Sequence, residues 1–255
     1  MKLHFRKYGN GRPMVILHGL FGSSDNWLTQ AKLFATDYHV FTVDLRNHGL
    51  SPHDDAFDYG SMVDDLDKFF RDHDLKGAIV IGHSMGGKAA MNFAITHPDA
   101  VDKLIIVDIA PRSYDLEHYV IADGLAAIPV DKLSSRKEAE DILADYVSDL
   151  GTRQFLLKNL QRKPEGGFSW KMNLPVIREK LSNVGVNLIN EGSFEGPTLF
   201  VRGARSSYIL DSDIPRIKEV FPNAEVQTME TGHWVQAEKP AEFVSMVTTW
   251  IDSAS

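Results

Sequence analysis

A mostly parallel β-sheet with helices on both faces, interrupted by a helical insertion, is the fold class this sequence predicts. Three observations carry that prediction. Short apolar runs such as Met14-Val15-Ile16-Leu17, Ala78-Ile79-Val80-Ile81 and Leu104-Ile105-Ile106-Val107 recur with helix-patterned segments between them, the alternation that builds parallel sheets covered on both faces. Several of these runs are closed by glycine, histidine or aspartate. From 111 to 190 the runs stop and the periodicity is helical, after which the strand pattern resumes.

In chain order, residues 2 to 8 alternate in polarity and form an opening strand closed by Gly9-Asn10-Gly11. Met14 to Leu17 is a strand buried on both faces, ending in His18-Gly19-Leu20-Phe21-Gly22. A helix over about Asp25 to Thr36 leads to the strand His39 to Asp44, which runs into Leu45-Arg46-Asn47-His48-Gly49-Leu50-Ser51. Ser61, with Asp64 three residues on, starts the next helix, and Met62, Leu66, Phe69 and Phe70 line one face. The strand before Gly82 and the helix that stops at Pro98 follow, then the strand Lys103 to Asp108. In the insertion, Ala139, Ile142, Leu143, Tyr146, Val147 and Leu150 make one helical stripe, and Phe155, Leu156 and Leu160 another. Pro197 to Gly203 and Ala224 to Met229 are strands around a helix near Asp211 to Phe221, and a last helix follows Pro240.

A chain of 255 residues, 43% hydrophobic and 24% charged, can bury one substantial core. Its formal charge of −8, with no offsetting basic block, excludes nucleic acid as the expected partner. With no cysteine, thiol catalysis, disulfides and cysteine metal sites are excluded. The first residues lack the apolar region of a signal peptide and no run reaches transmembrane length, so a soluble cytoplasmic protein without stable membrane insertion is expected.

Gly82-His83-Ser84-Met85-Gly86 sits between a strand and a helix. The bare G-x-S-x-G pattern arises by chance in roughly one chain in ten at average usage, so its strand-turn-helix context decides. In such an elbow the serine stands at the apex of a turn so tight that its neighbours two residues away must be small. Ser84 is therefore the expected nucleophile.

Ligands of open parallel sheets bind beyond the carboxyl ends of the strands, so the residues ending each strand should meet in space. Serine needs a base, and the base needs a carboxylate on its other nitrogen. His233, after the last strand and before the last helix, is the expected base. His83 packs beside the elbow and is a substrate-pocket candidate with Phe21 and Trp234, whereas His18 and His48 are expected to brace loops and Asp44 to be structural. The remaining histidines are expected on the surface. For the oxyanion the donors are the amides of Met85 and of Leu20, whose loop is kept close by Gly19 and Gly22. Among carboxylates between 84 and 233, Asp108 closes a strand and is preferred; Asp211 and Asp213 stay open as alternatives, although they also suit the start of a helix. Trp27 and the insertion aromatics Tyr114, Tyr119, Phe155, Phe168 and Trp170 suit either an apolar acyl pocket or plain core.

Taken together, His18-Gly19 with Gly22, the Asp44 to Ser51 stretch, Gly82 to Lys88, Val107-Asp108-Ile109-Ala110-Pro111 and Gly232-His233-Trp234-Val235 resemble the α/β-hydrolase superfamily, and within it the YbfF-type bacterial esterases and their mitochondrial relatives. The resemblance implies an α/β-hydrolase fold, with 1–110 and 191–255 as the core and 111–190 as an inserted helical lid. It also implies a serine hydrolase of carboxylic esters, with acyl thioesters open, that takes a small-molecule acyl ester, needs neither metal nor organic cofactor, and draws its acid from Asp108. Carbon-carbon bond hydrolases and perhydrolases share the same triad, and a hydrolase-like small-molecule receptor is the reading from a different class. Oligomeric state has no signature in the sequence.

Overall fold

The structure, a computed structural model, describes residues 1–114 and 118–254. Strands β1 (Phe5–Tyr8) and β2 (Arg12–Leu17) open the chain, followed by a short 3₁₀ turn, Ser24–Trp27, and helix α1 (Leu28–Phe34). Then come β3 (Tyr38–Val43), α2 (Tyr59–Asp72), β4 (Ala78–His83), α3 (Met85–Thr96) and β5 (Val101–Val107). The stretch after β5 contains α4 (His118–Ala127), α5 (Arg136–Ala144), α6 (Leu150–Leu157), strands β6 (Leu160–Arg162) and β7 (Phe168–Trp170), α7 (Leu174–Glu179) and α8 (Ser182–Gly185). Strand β8 (Thr198–Gly203), α9 (Ile214–Val220), β9 (Ala224–Met229), α10 (Val235–Glu238) and α11 (Pro240–Ser253) complete it.

The main sheet has seven strands in the order β1-β3-β2-β4-β5-β8-β9. Only β1 runs antiparallel to its neighbour, and the other pairings are parallel. Because successive side chains of a strand face opposite ways, each apolar run feeds two cores at once. Val15, Val80 and Leu104 pack with Leu66, Phe69 and Phe93 of α2 and α3. Their chain neighbours Ile16, Ile79 and Ile105 pack on the other face with Phe34 of α1 and Phe243 and Trp250 of α11. The expected sheet, with helices on both faces, is thus present, and its register aligns Leu17 with Gly82 and His83 with Val107. Those ends share one edge of the sheet. No described helix is long and apolar enough to cross a membrane.

Several local expectations are corrected. The first strand is shorter than expected, and the first helix begins with the 3₁₀ turn. Helix α2 starts two residues before Ser61: Asp58 is the N-cap, accepting the Ser61 amide at 2.8 Å, and the Ser61 hydroxyl returns to Asp58 at 3.2 Å. Aspartate outside the helix satisfies an orphan amide that an internal serine cannot. The stripe drawn from Ala139 to Leu150 spans two helices, because Asp149 caps a new one by accepting the Thr152 amide at 2.7 Å. The stretch expected to be a helical lid is also not wholly helical, since Leu160 pairs with Trp170 in an antiparallel hairpin.

Close approach explains the glycines of the elbow. A Cβ on Gly82 would strike the Gly86 carbonyl, and one on Gly86 would strike the His18 carbonyl and lie 2.7 Å from that of Leu17. Gly86→Ala is expected to destabilise the protein by about 1–3 kcal/mol through overpacking, even after the gain of about 1 kcal/mol in helix propensity. The denaturation midpoint measures it, and an unshifted midpoint would contradict so tight a β2–α3 contact.

Candidate active site

Ser84 lies between β4 and α3 with φ 52° and ψ −117°, in a region that favours glycine. Its amide donates to Val107 at 3.0 Å and its carbonyl accepts the Lys88 amide at 3.0 Å, so strand and helix together hold the strained turn. Asp108 just beyond β5 also has positive φ, 51°, and its amide continues the ladder to Val201 at 2.9 Å.

The structure brings His233 to Asp108: Nδ1 donates to the Asp108 carboxylate at 2.8 Å. That carboxylate is fully buried and also accepts the Gly203 amide at 3.0 Å and the Ser206 hydroxyl. Asp211 and Asp213 do not reach His233 among the described hydrogen bonds; Asp211 pairs with Arg202 at 2.6 Å, while Asp213 pairs with Arg112 at 2.9 Å and accepts the Leu210 amide at 2.8 Å. His83 donates Nε2–H to the His233 carbonyl at 3.0 Å, tying the elbow to the loop after β9. Burial, reinforced by neighbouring His233, keeps the His83 pKa well below the usual imidazole value, so this bond is made by a neutral ring.

The loop after β2 is braced as the sequence suggests. His18 accepts the Leu45 amide at 3.0 Å and donates to Gly19 at 2.8 Å; His48 accepts the Phe21 amide at 3.2 Å and donates to Arg46 at 2.9 Å. Burial lowers the pKa of both, that of His48 to about 3, which fixes them as neutral one-donor, one-acceptor braces. Asp44 is structural too, accepting amides from Ser24 at 2.6 Å and Leu50 at 2.9 Å. Asn159, between α6 and β6, donates to the Phe21 carbonyl at 2.6 Å.

A cavity of about 210 Å³ is lined by Ser84, His233, His83, Leu20, Phe21 and Trp234, with Phe155 and Leu156 from α6 and Ile121 from α4. A second, of about 30 Å³, adjoins it at Ser84 and Leu20 and adds Met85. All the sequence-derived site residues except Asp211 and Asp213 are therefore at or behind this place. Of the aromatics, Phe155 faces the larger cavity and Tyr114 the smaller. Trp27 and Phe168 are core, and Tyr119 and Trp170 line a separate outer groove. His118 corrects the surface expectation: it lines both cavities, its Nε2 lies 3.4 Å from the Tyr208 hydroxyl, and burial with help from His233 lowers its pKa to about 4. Sequence reasoning also missed Ser206 and Tyr208, whose ring stacks on His233 at 4.0 Å. Their one signal was position, in the loop closing β8.

Comparison with known proteins agrees with this fold. A family model described as the alpha/beta hydrolase fold matches residues 12–240. The chain is 38% identical over 252 residues to the sn-1-specific diacylglycerol lipase ABHD11 of Danio rerio, covering 95% of this chain and 79% of that protein. It is 35% identical over 247 residues to esterase YbfF of Escherichia coli, covering 94% and 95%. A solved structure titled "Marine microorganism esterase" superposes with a TM-score of 0.95 at 41% identity, covering 98% of this chain and 99% of that one.

Proposed function

The chain belongs to the α/β-hydrolase family, and from that premise we propose that it cleaves carboxylic esters through an acyl-enzyme on Ser84. The relatives' names, a diacylglycerol lipase and two esterases, make carboxylesterase-type hydrolysis the activity class. The observation that carries the finer reading is that Ser84 and His233 line one cavity, while Asp108, buried behind it, holds His233 Nδ1 at 2.8 Å.

That hydrogen bond leaves Nε2 as the basic nitrogen. His233 takes the Ser84 proton as Oγ attacks the ester carbonyl, and the oxyanion is received by the amides of Leu20 and Met85. The proton then goes to the departing alcohol. Water, deprotonated by the same nitrogen, attacks the acyl-enzyme and releases the acid. Asp108 orients the ring through Nδ1 and stabilises the imidazolium. These steps use side chains, amides and water alone.

Residues 111–190 serve in this reading as a lid over the apolar acyl site, supported by the reach of Ile121, Phe155 and Leu156 into the cavity. A volume of about 210 Å³ lies below the usual range for drug-sized ligands, so butyrate and hexanoate esters are expected to turn over faster than palmitate. A p-nitrophenyl ester series tests both statements. Absence of multiple turnover on every short ester would overturn the esterase reading, and a rate rising steadily to palmitate would overturn the pocket argument.

A further inference from the structure

The residue that stands out beside the nucleophile is Lys88, one turn along α3. Its side chain is buried, 1% exposed, yet among the described residues it forms no ion pair. The ammonium donates to the Val186 carbonyl and lies 4.8 Å from the ring of Tyr114 and 5.9 Å from that of Tyr59. Burying a cation on one carbonyl and two ring faces leaves most of its desolvation cost uncompensated. Lys88 lines the small cavity that Ser84, Leu20 and Met85 also line, so it faces the space next to the reacting carbonyl.

We propose that Lys88 is a specificity-determining residue that binds a carboxylate at the end of a short acyl group, so that the preferred esters are half-esters of small dicarboxylic acids. This rests on the esterase reading above and adds the acyl class. The cavity of about 30 Å³ admits a group of two or three heavy atoms and no long chain. A carboxylate there supplies the missing counter-charge, and the hydrogen bonds of a charged pair are worth about 1.5–3 kcal/mol.

The surroundings set the pH dependence. Burial first and then the nearby Arg112 lower the Lys88 pKa to about 7. Arg112 stacks over Tyr114 at 4.0 Å and pairs with Asp213, while the remaining titratable groups facing the cavity are Tyr59, Tyr114, Tyr208 and His118, the last uncharged above about pH 4. Lys88 is cationic below its pKa, and the substrate carboxylate is ionised across the neutral range. Discrimination is thus present on the acid side and fades as pH rises past about 7.

The test compares kcat/KM for ethyl hydrogen succinate with that for its uncharged isostere, ethyl 4-methylpentanoate, with released acid measured by chromatography. The succinate half-ester is expected to be favoured about tenfold or more at pH 6, with the ratio falling toward alkaline pH. In Lys88→Met the ratio collapses, while Lys88→Arg retains it. The ratio cancels any general loss of activity in a variant, and the wild-type pH series needs no variant at all. A wild-type ratio below one throughout, or the same ratio in wild type and Lys88→Met, would overturn the proposal. Turnover of the neutral ester alone keeps the esterase reading and removes this one; turnover of neither removes both.

Discussion

Replacing Ser84 by alanine is expected to lower kcat by about a millionfold, because a triad loses nearly all its advantage when the nucleophile goes. The residual rate is what the oxyanion donors and binding supply on their own. Ser84→Gly should be equally inactive, yet more stable than wild type by about 1 kcal/mol, since glycine adopts φ 52° without a Cβ penalty. That opposition is the informative part. If the positive φ were a neutral accident of the turn, glycine would bring no stability; if Ser84 were only structural, alanine would leave turnover intact. Single-turnover and steady-state hydrolysis of p-nitrophenyl butyrate, with chemical denaturation of both variants, give the two readouts. A Ser84→Ala variant that keeps more than about a hundredth of wild-type turnover would sink the assignment.

The sheet was legible because buried parallel strands print themselves as continuous apolar runs, and Val15/Ile16, Ile79/Val80 and Leu104/Ile105 do feed opposite faces. The site was legible because it stands on the ends of those strands. What escaped prediction lies in segments whose structure depends on distant partners. The hairpin at Leu160 has strands of three residues, too short for a period-two pattern to emerge. Tyr146 and Val147 extend a helical stripe in sequence, yet the Asp149 cap divides it. His118 reads as any surface histidine until folding sets it against Tyr208. Lys88, with long apolar methylenes and high helix propensity, fits any helix equally well, and only its burial reveals it. Trp27, an aromatic that suits an acyl pocket but more often plain core, makes an edge-on contact with Phe243 at 6.0 Å that places it in the core on the far face of the sheet.

Asp108→Asn is expected to cost about 10⁴ in kcat with little change in KM. The amide can still accept the Gly203 N–H, but it can turn its NH₂ toward His233 and stabilise the tautomer with the proton on Nε2, which cannot take the Ser84 proton. The loss therefore falls on the chemical step. By contrast, Asp211 is exposed and joined to Arg202 on the surface, a type of pair worth less than about 1 kcal/mol, so Asp211→Asn should stay within about fivefold of wild type. Asp213→Asn removes the partner of Arg112 and is expected to cost stability more than turnover, because its bonds go to Arg112 and Leu210 and none to His233. Steady-state kinetics of the three variants, run beside their denaturation midpoints, separate these outcomes. Near-normal turnover in Asp108→Asn with a loss of several orders of magnitude in Asp211→Asn would place the acid on the loop after β8. His233 would then have to leave a carboxylate that Gly203 and Ser206 already orient toward it, abandoning a buried charge. That cost is the physical reason to expect Asp108.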